Sequence, residues 1–135
     1  MLKMNPYLGF NGEASEALAY YKGVFGGELR IITFSEFGSG PPGADDLVMH
    51  GQLDTANFTL MAYDDPERKN PTGRGNTTIC IWGDDSEIGR AWFAKLAEDG
   101  TVDVEFAVQP WGDWYGTVTD RFGVFWGINV STGQN

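Results

Sequence analysis

The first helical pattern in the sequence lies between residues 13 and 25. Apolar side chains recur there at intervals of three and four residues, as on one face of a helix, at Ala17, Leu18, Tyr21 and Phe25. Gly26-Gly27 follows directly and supplies a stop signal, because glycine readily adopts the left-handed conformation that ends helices. The pattern predicts an amphipathic helix near the start of the chain.

A second helix is predicted between Asp84 and Gly100. Asp84 is a suitable N-cap residue, and Glu87 three positions later completes a capping box. The apolar residues of this stretch recur at helical spacing and predict a buried stripe formed by Ile88, Trp92 and Leu96.

Strands are predicted around these helices from runs rich in β-branched and aromatic residues, separated by turn signals. The runs cover residues 5–10, 28–37, 46–54, 57–63, 76–82, 102–109, 114–119 and 124–130. The predicted element order is therefore βαβββ followed by βαβββ.

Short segments of the two halves also match each other in order. Residues 12–16 (GEASE) match 83–87 (GDDSE). Residues 53–60 parallel 119–126, since each has an aspartate, a turn residue and then an aromatic-bearing strand. The ordered series favours an internal duplication.

The length of 135 residues fits one domain and leaves little room for two, since domains usually hold about 100 to 150 residues. We predict one α+β domain over 1–135, built from a first βαβββ module at about 4–64 and a second at about 75–131. The inner faces of the two sheets are expected to line a cleft.

The charge of the chain argues against nucleic acid as a partner. Nine basic residues stand against 19 acidic ones, and the formal net charge of −10 would repel a phosphate backbone. No run of 18 apolar residues is present, so no membrane partner is predicted.

The single cysteine, Cys80, cannot form an intrachain disulfide, and the first residues hold no apolar stretch of signal-peptide length. Both features indicate a cytoplasmic protein. Cys80 shares its strand parity with Trp82, on the face expected under the second helix, and is predicted to be buried.

Four segments carry a resemblance to a known superfamily. They are residues 5–12 (NPYLGFNG), 19–28 (AYYKGVFGGE), 49–50 (MH) and 111–126 (WGDWYGTVTDRFGVFW). The chain resembles the vicinal-oxygen-chelate superfamily, and within it looks most like the PhnB-like branch. The resemblance implies the glyoxalase/bleomycin-resistance/dioxygenase fold, but this branch has no settled activity. PhnB-like proteins often carry a methyltransferase name, yet the chain lacks the glycine-rich turn of a nucleotide-binding fold.

The resemblance also implies four strand positions at which the enzymes of the superfamily hold a divalent metal. In this sequence they fall at about Pro6, Met61, Thr77 and Gly127. None is an imidazole or a carboxylate, which are the ligands such a metal prefers. A shift of one residue would bring in only Asn5 or Asn76. We therefore predict no metal and no other cofactor.

His50 is the only histidine and the first candidate for chemistry. Strand alternation places it on one face with Gln52, opposite Met49 and Leu53. Because imidazole changes protonation near neutral pH, His50 could act as a general base or donate a hydrogen bond in the cleft. It could equally be a partly buried residue that fixes a loop.

Glu105 is the second catalytic candidate. By alternation it shares a strand face with Asp103, and two neighbouring carboxylates can form an acid/base pair. The same pattern is also typical of a solvated face.

Alternation predicts the remaining cleft residues in the same way. Trp111 could cover the mouth of the cleft from its loop, or it could close the bottom of the core. The predicted ligand-binding residues are Phe10, His50, Gln52, Tyr63, Trp111, Phe125 and Asn129.

These aromatic and neutral polar residues favour a metal-independent protein that binds a small, partly aromatic or apolar molecule. The alternative is a metal-dependent lyase or dioxygenase with a rebuilt or intersubunit site, in which His50 and Glu105 or another carboxylate are ligands. Whether the chain is an enzyme stays open. We expect a homodimer, since sheet edges are commonly shielded across a subunit boundary.

Overall fold

The structure is a computed structural model that describes residues 1–73 and 75–132. The chain divides into two compact units, Met1–Thr72 and Gly73–Asn135. The first unit contains β1 (Tyr7–Phe10), α1 (Ala14–Phe25), β2 (Glu28–Thr33), α2 (Phe34–Phe37), β3 (Val48–Asp54) and β4 (Thr59–Asp64). The second contains β5 (Ile79–Gly83), α3 (Ser86–Ala97), β6 (Thr101–Val108), β7 (Trp114–Thr119) and β8 (Phe125–Val130). None of the helices described is long and apolar enough to cross a membrane.

Each unit holds one four-stranded mixed sheet, and the two sheets have the same topology. The strand order is β1-β4-β3-β2 in the first unit and β5-β8-β7-β6 in the second. In both, the first strand pairs in parallel with the last, and the other neighbours are antiparallel. The predicted α+β fold class with two βαβββ modules is confirmed.

Helix α1 covers one face of the first sheet. Its buried residues are Ala14, Ala17, Leu18, Tyr21 and Val24, and they face a sheet core that includes Leu53, Leu60 and Ala62. Gly51 lets the helix approach closely, because a Cβ there would overlap Leu18 Cδ1. The predicted helix is confirmed, although Phe25 is only half-buried.

The buried carboxylate of Asp64 joins three parts of the first unit. Asp64 lies at the end of β4 and is 2% exposed. Its Oδ1 accepts hydrogen bonds from the backbone N–H of Gly12 at 2.8 Å and Ala14 at 3.0 Å, and its Oδ2 accepts from Val48 N–H at 3.0 Å. The first N–H groups of a helix have no partner within it, so the carboxylate satisfies donors that would otherwise lack an acceptor. Asp64 thereby fixes the start of β3 relative to β4.

Helix α3 packs on the second sheet with a different face from the one predicted. Its buried residues are Gly89, Phe93 and Leu96, whereas Ile88 is exposed. The N-cap is Asp85, whose Oδ1 accepts from Ile88 N–H at 3.1 Å, and not Asp84. Of the three residues predicted to be buried, only Leu96 is. The other two buried residues, Gly89 and Phe93, each follow a predicted residue by one position, because the helix packs on the sheet with that face.

Asp120 is the buried carboxylate of the second unit. It follows β7, and its Oδ1 accepts from Phe122 N–H at 2.8 Å and Val124 N–H at 3.1 Å. Its Oδ2 accepts from the indole Nε1–H of Trp126 at 2.8 Å. The turn between β7 and β8 is therefore tied to a core tryptophan.

The strand predicted over 28–37 ends early. Thr33 Oγ1 accepts a hydrogen bond from Glu36 N–H at 3.2 Å and caps the short helix α2. A local side-chain cap thus competes with continuation of the strand.

The prediction that Cys80 is buried is wrong. Cys80 is exposed, and Trp82 is 82% exposed. Ile81 pairs with Ile128, which lies close to Gly89 of α3, so the isoleucines of β5 take the helix side of the sheet. Cys80 consequently lies on the opposite side.

Candidate functional site

The first sheet has one face that α1 does not cover, which we call the first open face. Strand register places its residues together, because directly paired residues point to the same side of a sheet. Its members include Tyr7 and Gly9 of β1, Met61 and Tyr63 of β4, His50, Gln52 and Asp54 of β3, and Arg30 of β2. His50 and Gln52 share this face, as predicted.

A series of hydrogen bonds runs across this face. The Tyr7 hydroxyl lies 3.1 Å from His50 Nδ1, and His50 Nε2 lies 3.4 Å from Gln52 Oε1. Gln52 Nε2 donates to both carboxylate oxygens of Asp54, at 3.0 and 3.1 Å. His50 is thus held at both ring nitrogens by neighbouring side chains.

Asp54 anchors the end of this series. Besides Gln52, it accepts hydrogen bonds from Thr59 Oγ1 at 2.8 Å and from Arg30 Nη2 at 2.9 Å. These donors, first Gln52 and then Thr59, hold the pKa of the Asp54 carboxyl below its usual range. Asp54 is therefore ionised at neutral pH.

Two tyrosine rings stand beside the histidine. The ring of Tyr7 meets that of Tyr63 edge to face at 5.0 Å and that of His50 at 5.7 Å. Burial, followed by the neighbouring Tyr63, raises the pKa of the Tyr7 phenol above 10.0. The combination provides apolar ring surface next to oriented polar groups.

Tyr63 is itself held in place by Asn70. Its hydroxyl donates to Asn70 Oδ1 at 3.1 Å, and Asn70 Nδ2 donates to the backbone oxygen of Phe10 at 2.9 Å. Gly9 leaves the required space, because a Cβ there would lie 2.8 Å from the Tyr63 hydroxyl and 2.7 Å from Asn70 Nδ2.

Phe10 does not lie on the first open face, and its predicted orientation is wrong. It is 5% exposed and pairs with Asp64, on the same side of the sheet as Leu8 and Ala62. The alternation used to place Phe10 was one residue out of step, which exchanged the two faces of β1. The residue that sequence reasoning missed is Tyr7, and counting back from Tyr63 through the parallel pairing of β1 and β4 would have found it.

The second sheet likewise has a face turned away from α3, which we call the second open face. Asn129 pairs with Tyr115 there, and its Nδ2 donates to Asp113 Oδ2 at 3.2 Å. Phe125 shares this face but is buried. Trp111 lies in the loop before β7, 57% exposed, with its ring 5.7 Å from that of Tyr115. Its exposure excludes the alternative in which it closes the core.

Glu105 is exposed on β6, in the second unit, whereas His50 belongs to the first. The register of β6 shifts twice, after Val102 and after Val104, so simple alternation does not describe this strand. Asp103 accepts a hydrogen bond from Thr119 Oγ1 at 2.9 Å. No described contact joins Asp103 to Glu105.

Two of the four positions inferred for metal ligation do not pair with their inferred strand partners. Tyr7, and not Pro6, pairs with Met61. Cys80, and not Thr77, pairs with Gly127. Over residues 1–73 and 75–132, no three His, Cys, Asp or Glu side chains are grouped so that they could hold a metal ion.

Solved structures define the class of fold. The chain superposes on a glyoxalase/bleomycin resistance protein/dioxygenase family enzyme from Burkholderia phytofirmans with a TM-score of 0.62, covering 92% of this chain and 95% of that one. At 15% identity this similarity shows the fold alone. Protein PA1353 from Pseudomonas aeruginosa is more similar, with a TM-score of 0.87 and 32% identity over 97% of this chain and 98% of that one.

Family membership follows from nearer relatives. A family model described as 3-demethylubiquinone-9 3-methyltransferase matches residues 2–129. Protein YjdN of Escherichia coli is 31% identical over 96% of this chain and 95% of its own length. A putative 3-demethylubiquinone-9 3-methyltransferase, PhnB protein, from Bacillus cereus has a TM-score of 0.79 and 25% identity, covering 96% of this chain and 100% of that one. The chain therefore belongs to this PhnB-like family, as its sequence resemblance predicted.

Proposed function

We propose that the chain binds a small, partly aromatic or apolar molecule on its open sheet faces, without the metal used by enzymes of the superfamily. The observation that carries the proposal is the first open face, where the rings of Tyr7 and Tyr63 stand beside the linked side chains of His50 and Gln52. Small-molecule sites commonly combine apolar walls with a few oriented polar groups.

The polar groups of this face are already in place before any ligand arrives. Gln52 is oriented by Asp54, and Tyr63 by Asn70. A ligand therefore need not order these side chains on binding, which lowers the entropic cost of association. Such a prearranged face suits specific recognition better than general adhesion.

The second open face offers a set of proposed contacts of its own. Trp111 and Tyr115 offer exposed and half-exposed rings, and Asn129 offers an amide oriented by Asp113. The proposed contacts on the second open face are Trp111, Phe125 and Asn129. Tyr7 joins His50, Gln52 and Tyr63 as a proposed ligand contact on the first open face. Phe10 is not among them, since it packs on the α1 side.

The family description names a methyltransferase, but we do not propose methyl transfer for this chain. Its sequence has no glycine-rich strand-to-helix turn that would cradle a nucleotide-like methyl donor. The proposal is confined to binding.

The proposal is tested by measuring the binding of small molecules before and after metal is removed from the protein. Purified protein is treated with chelator, dialysed and screened by thermal shift against small phenols, indoles and other planar compounds, while elemental analysis gives its metal content. We expect compounds that raise the melting temperature equally before and after chelation.

Single substitutions test whether the compounds bind at the first open face. His50→Ala should weaken binding of the compounds found, whereas Lys22→Ala, an exposed position on α1, should not. Binding that disappears on chelation and returns with one divalent metal per chain would contradict the proposal and favour a lyase or dioxygenase with His50 as a ligand. Absence of any shift would refute both.

We also propose a homodimer, supported by the edge strand β6. Val102, Val104 and Val108 are exposed on this strand, and an unprotected apolar edge favours pairing with another chain. Light scattering should give twice the chain mass for the wild type and a lower mass for Val104→Lys. A monomeric wild type would refute this part of the proposal.

We propose the cytoplasm as the compartment. The single exposed thiol of Cys80 supports this, because such a thiol stays reduced in a reducing environment. Fractionation of cells that express the tagged chain tests this, and recovery outside the cytoplasmic fraction would contradict it.

A further inference from the structure

The chemistry of Asp54 sets the direction of the hydrogen bonds on the first open face. An ionised carboxylate can only accept hydrogen bonds, so the Gln52 amide must turn its nitrogen towards Asp54. The Gln52 oxygen then faces His50 Nε2, and since an amide oxygen can only accept, Nε2 carries the proton of the neutral imidazole.

The position of the His50 proton determines the part that Tyr7 plays in its hydrogen bond to His50. With the proton of the neutral ring on Nε2, Nδ1 is left with a lone pair and accepts a hydrogen bond from the Tyr7 hydroxyl. The raised pKa of Tyr7 agrees with a phenol that keeps its proton. Asp54, Gln52 and His50 together thus determine where the hydroxyl hydrogen of Tyr7 points.

A phenol whose hydrogen is already used presents only lone pairs to an incoming molecule. Tyr7 is 51% exposed, so its oxygen is reachable from solvent. The ring of Tyr63, edge to face with that of Tyr7, provides aromatic surface next to the ring that carries this oxygen. An aromatic molecule that packs on these rings could reach the Tyr7 oxygen with a group on its edge.

We propose that Tyr7 selects the ligand by accepting a hydrogen bond from an O–H or N–H group on the edge of an aromatic ring. This inference rests on the proposed binding function and specifies its ligand class as hydrogen-bond donors, such as phenols and indoles. Aromatic molecules that present only acceptors at that edge are disfavoured, because the Tyr7 hydrogen points towards His50.

The first test reads the imidazole directly and needs no ligand. Because His50 is the only histidine, protein labelled with ¹⁵N-histidine gives one imidazole spin system in a long-range ¹H–¹⁵N spectrum. In the neutral ring we expect a protonated Nε2 and an unprotonated Nδ1. Gln52→Leu should reduce this preference, since it removes the acceptor for Nε2–H. A ring protonated at Nδ1 would overturn the inference whatever the protein binds.

The second test uses matched pairs of compounds in which methylation removes the donor. Phenol is compared with anisole, and indole with 1-methylindole, by titration against wild type and Tyr7→Phe. A hydrogen bond of ordinary strength predicts that the donor compound of each pair binds about three- to tenfold more tightly to the wild type. The ratio should fall to about one in Tyr7→Phe.

Tyr20→Phe is the matched control, because it removes a phenolic hydroxyl from α1, which packs against the opposite side of the first sheet. It should keep the wild-type preference. Equal binding of both members of each pair by the wild type would overturn the inference but leave the proposed function standing. Failure of all four compounds, and of every compound in the wider screen, would overturn both.

Discussion

Replacing Asp64 with alanine should lower the free energy of unfolding by about 3–5 kcal/mol. The substitution removes the acceptor of three backbone N–H groups, those of Gly12, Ala14 and Val48, at distances of 2.8 to 3.0 Å. A hydrogen bond to a charged group contributes about 1.5–3 kcal/mol. The total is less than three times that value, because the Gly12 N–H is only part-buried and can recover a water molecule.

Asparagine at position 64 tests the hydrogen bonds separately, because it keeps a side chain of nearly the same size and shape. Asp64→Asn can keep its oxygen towards Gly12 and Ala14, but its NH₂ group then faces the N–H of Val48 and one hydrogen bond is lost. We expect a loss of about 2 kcal/mol, between those of the wild type and Asp64→Ala. Asp46→Asn is the control, since it removes the same charge from an exposed position and should change stability by no more than about 0.5 kcal/mol.

Urea unfolding followed by circular dichroism and by tryptophan fluorescence measures these differences, and coincident transitions would justify a two-state analysis. If Asp64→Ala does not fold, Asp64→Asn still provides the comparison. The reasoning is refuted if either Asp64 variant is as stable as Asp46→Asn. That result would mean that water replaces the carboxylate at no cost and that Asp64 does not fix the start of β3.

Other parts of the structure lead to three further predictions. Gly23→Ala should stabilise the protein by about 0.5–1 kcal/mol, since this exposed helical position is open to a methyl group. Gly89→Ala should instead destabilise it by about 1–3 kcal/mol, because the added Cβ would lie 2.8 Å from Val130 Cγ2. Thermal or urea unfolding measures both changes, and a change of the same sign in the two variants would contradict the packing of α3. The pKa of Tyr7 is higher in the folded state than in the unfolded state, so the stability that this difference contributes is complete below pH 10.0 and is lost as the pH rises through the folded value. Above pH 10.0 the wild type should therefore lose stability relative to Tyr7→Phe. Plots of unfolding free energy against pH that run parallel for the two proteins would contradict the raised pKa. The thiol of Cys80 should react with a maleimide in the native protein nearly as fast as in urea, and strong protection would show that its exposed position is covered in solution.

The sequence predicts the order of the elements well, because their signals are local. Helix α1 begins and ends within one residue of the predicted bounds, since both its apolar stripe and its glycine stop lie within a few residues of the helix. The fold class followed from the repeated order of these elements and from the family resemblance. Neither the repeated order nor the resemblance depends on knowing which residues contact each other in the folded chain.

The faces of the short strands and of α3 could not be predicted to the same accuracy. A strand of four residues gives too few alternations to determine parity, so an error of one residue exchanged Phe10 for Tyr7. The stripe of α3 failed for a related reason, because Ile88 and Phe93 are both apolar and only packing decides between them.

The role of Asp64 has no local signal at all. Its partners Gly12, Ala14 and Val48 are brought to it by strand pairing over a long stretch of sequence. Tyr7 likewise acquires its role only when β1 pairs with β4 and the ring reaches His50. The candidate site therefore depends on non-local contacts, whereas the elements that support it do not.

The parallel pairing of the first and last strand in each unit has a consequence for the order of folding. The hairpins β3-β4 and β7-β8 connect neighbouring strands through short turns, whereas Tyr7 pairs with Met61 and Cys80 with Gly127 across roughly fifty residues. Closing such long loops costs chain entropy before any contact compensates for it, so high contact order slows folding. We expect the hairpins to form early and the parallel pairs to close late in each half. A nascent chain would then expose β4 and β8 as unpaired edges until β1 and β5 dock beside them.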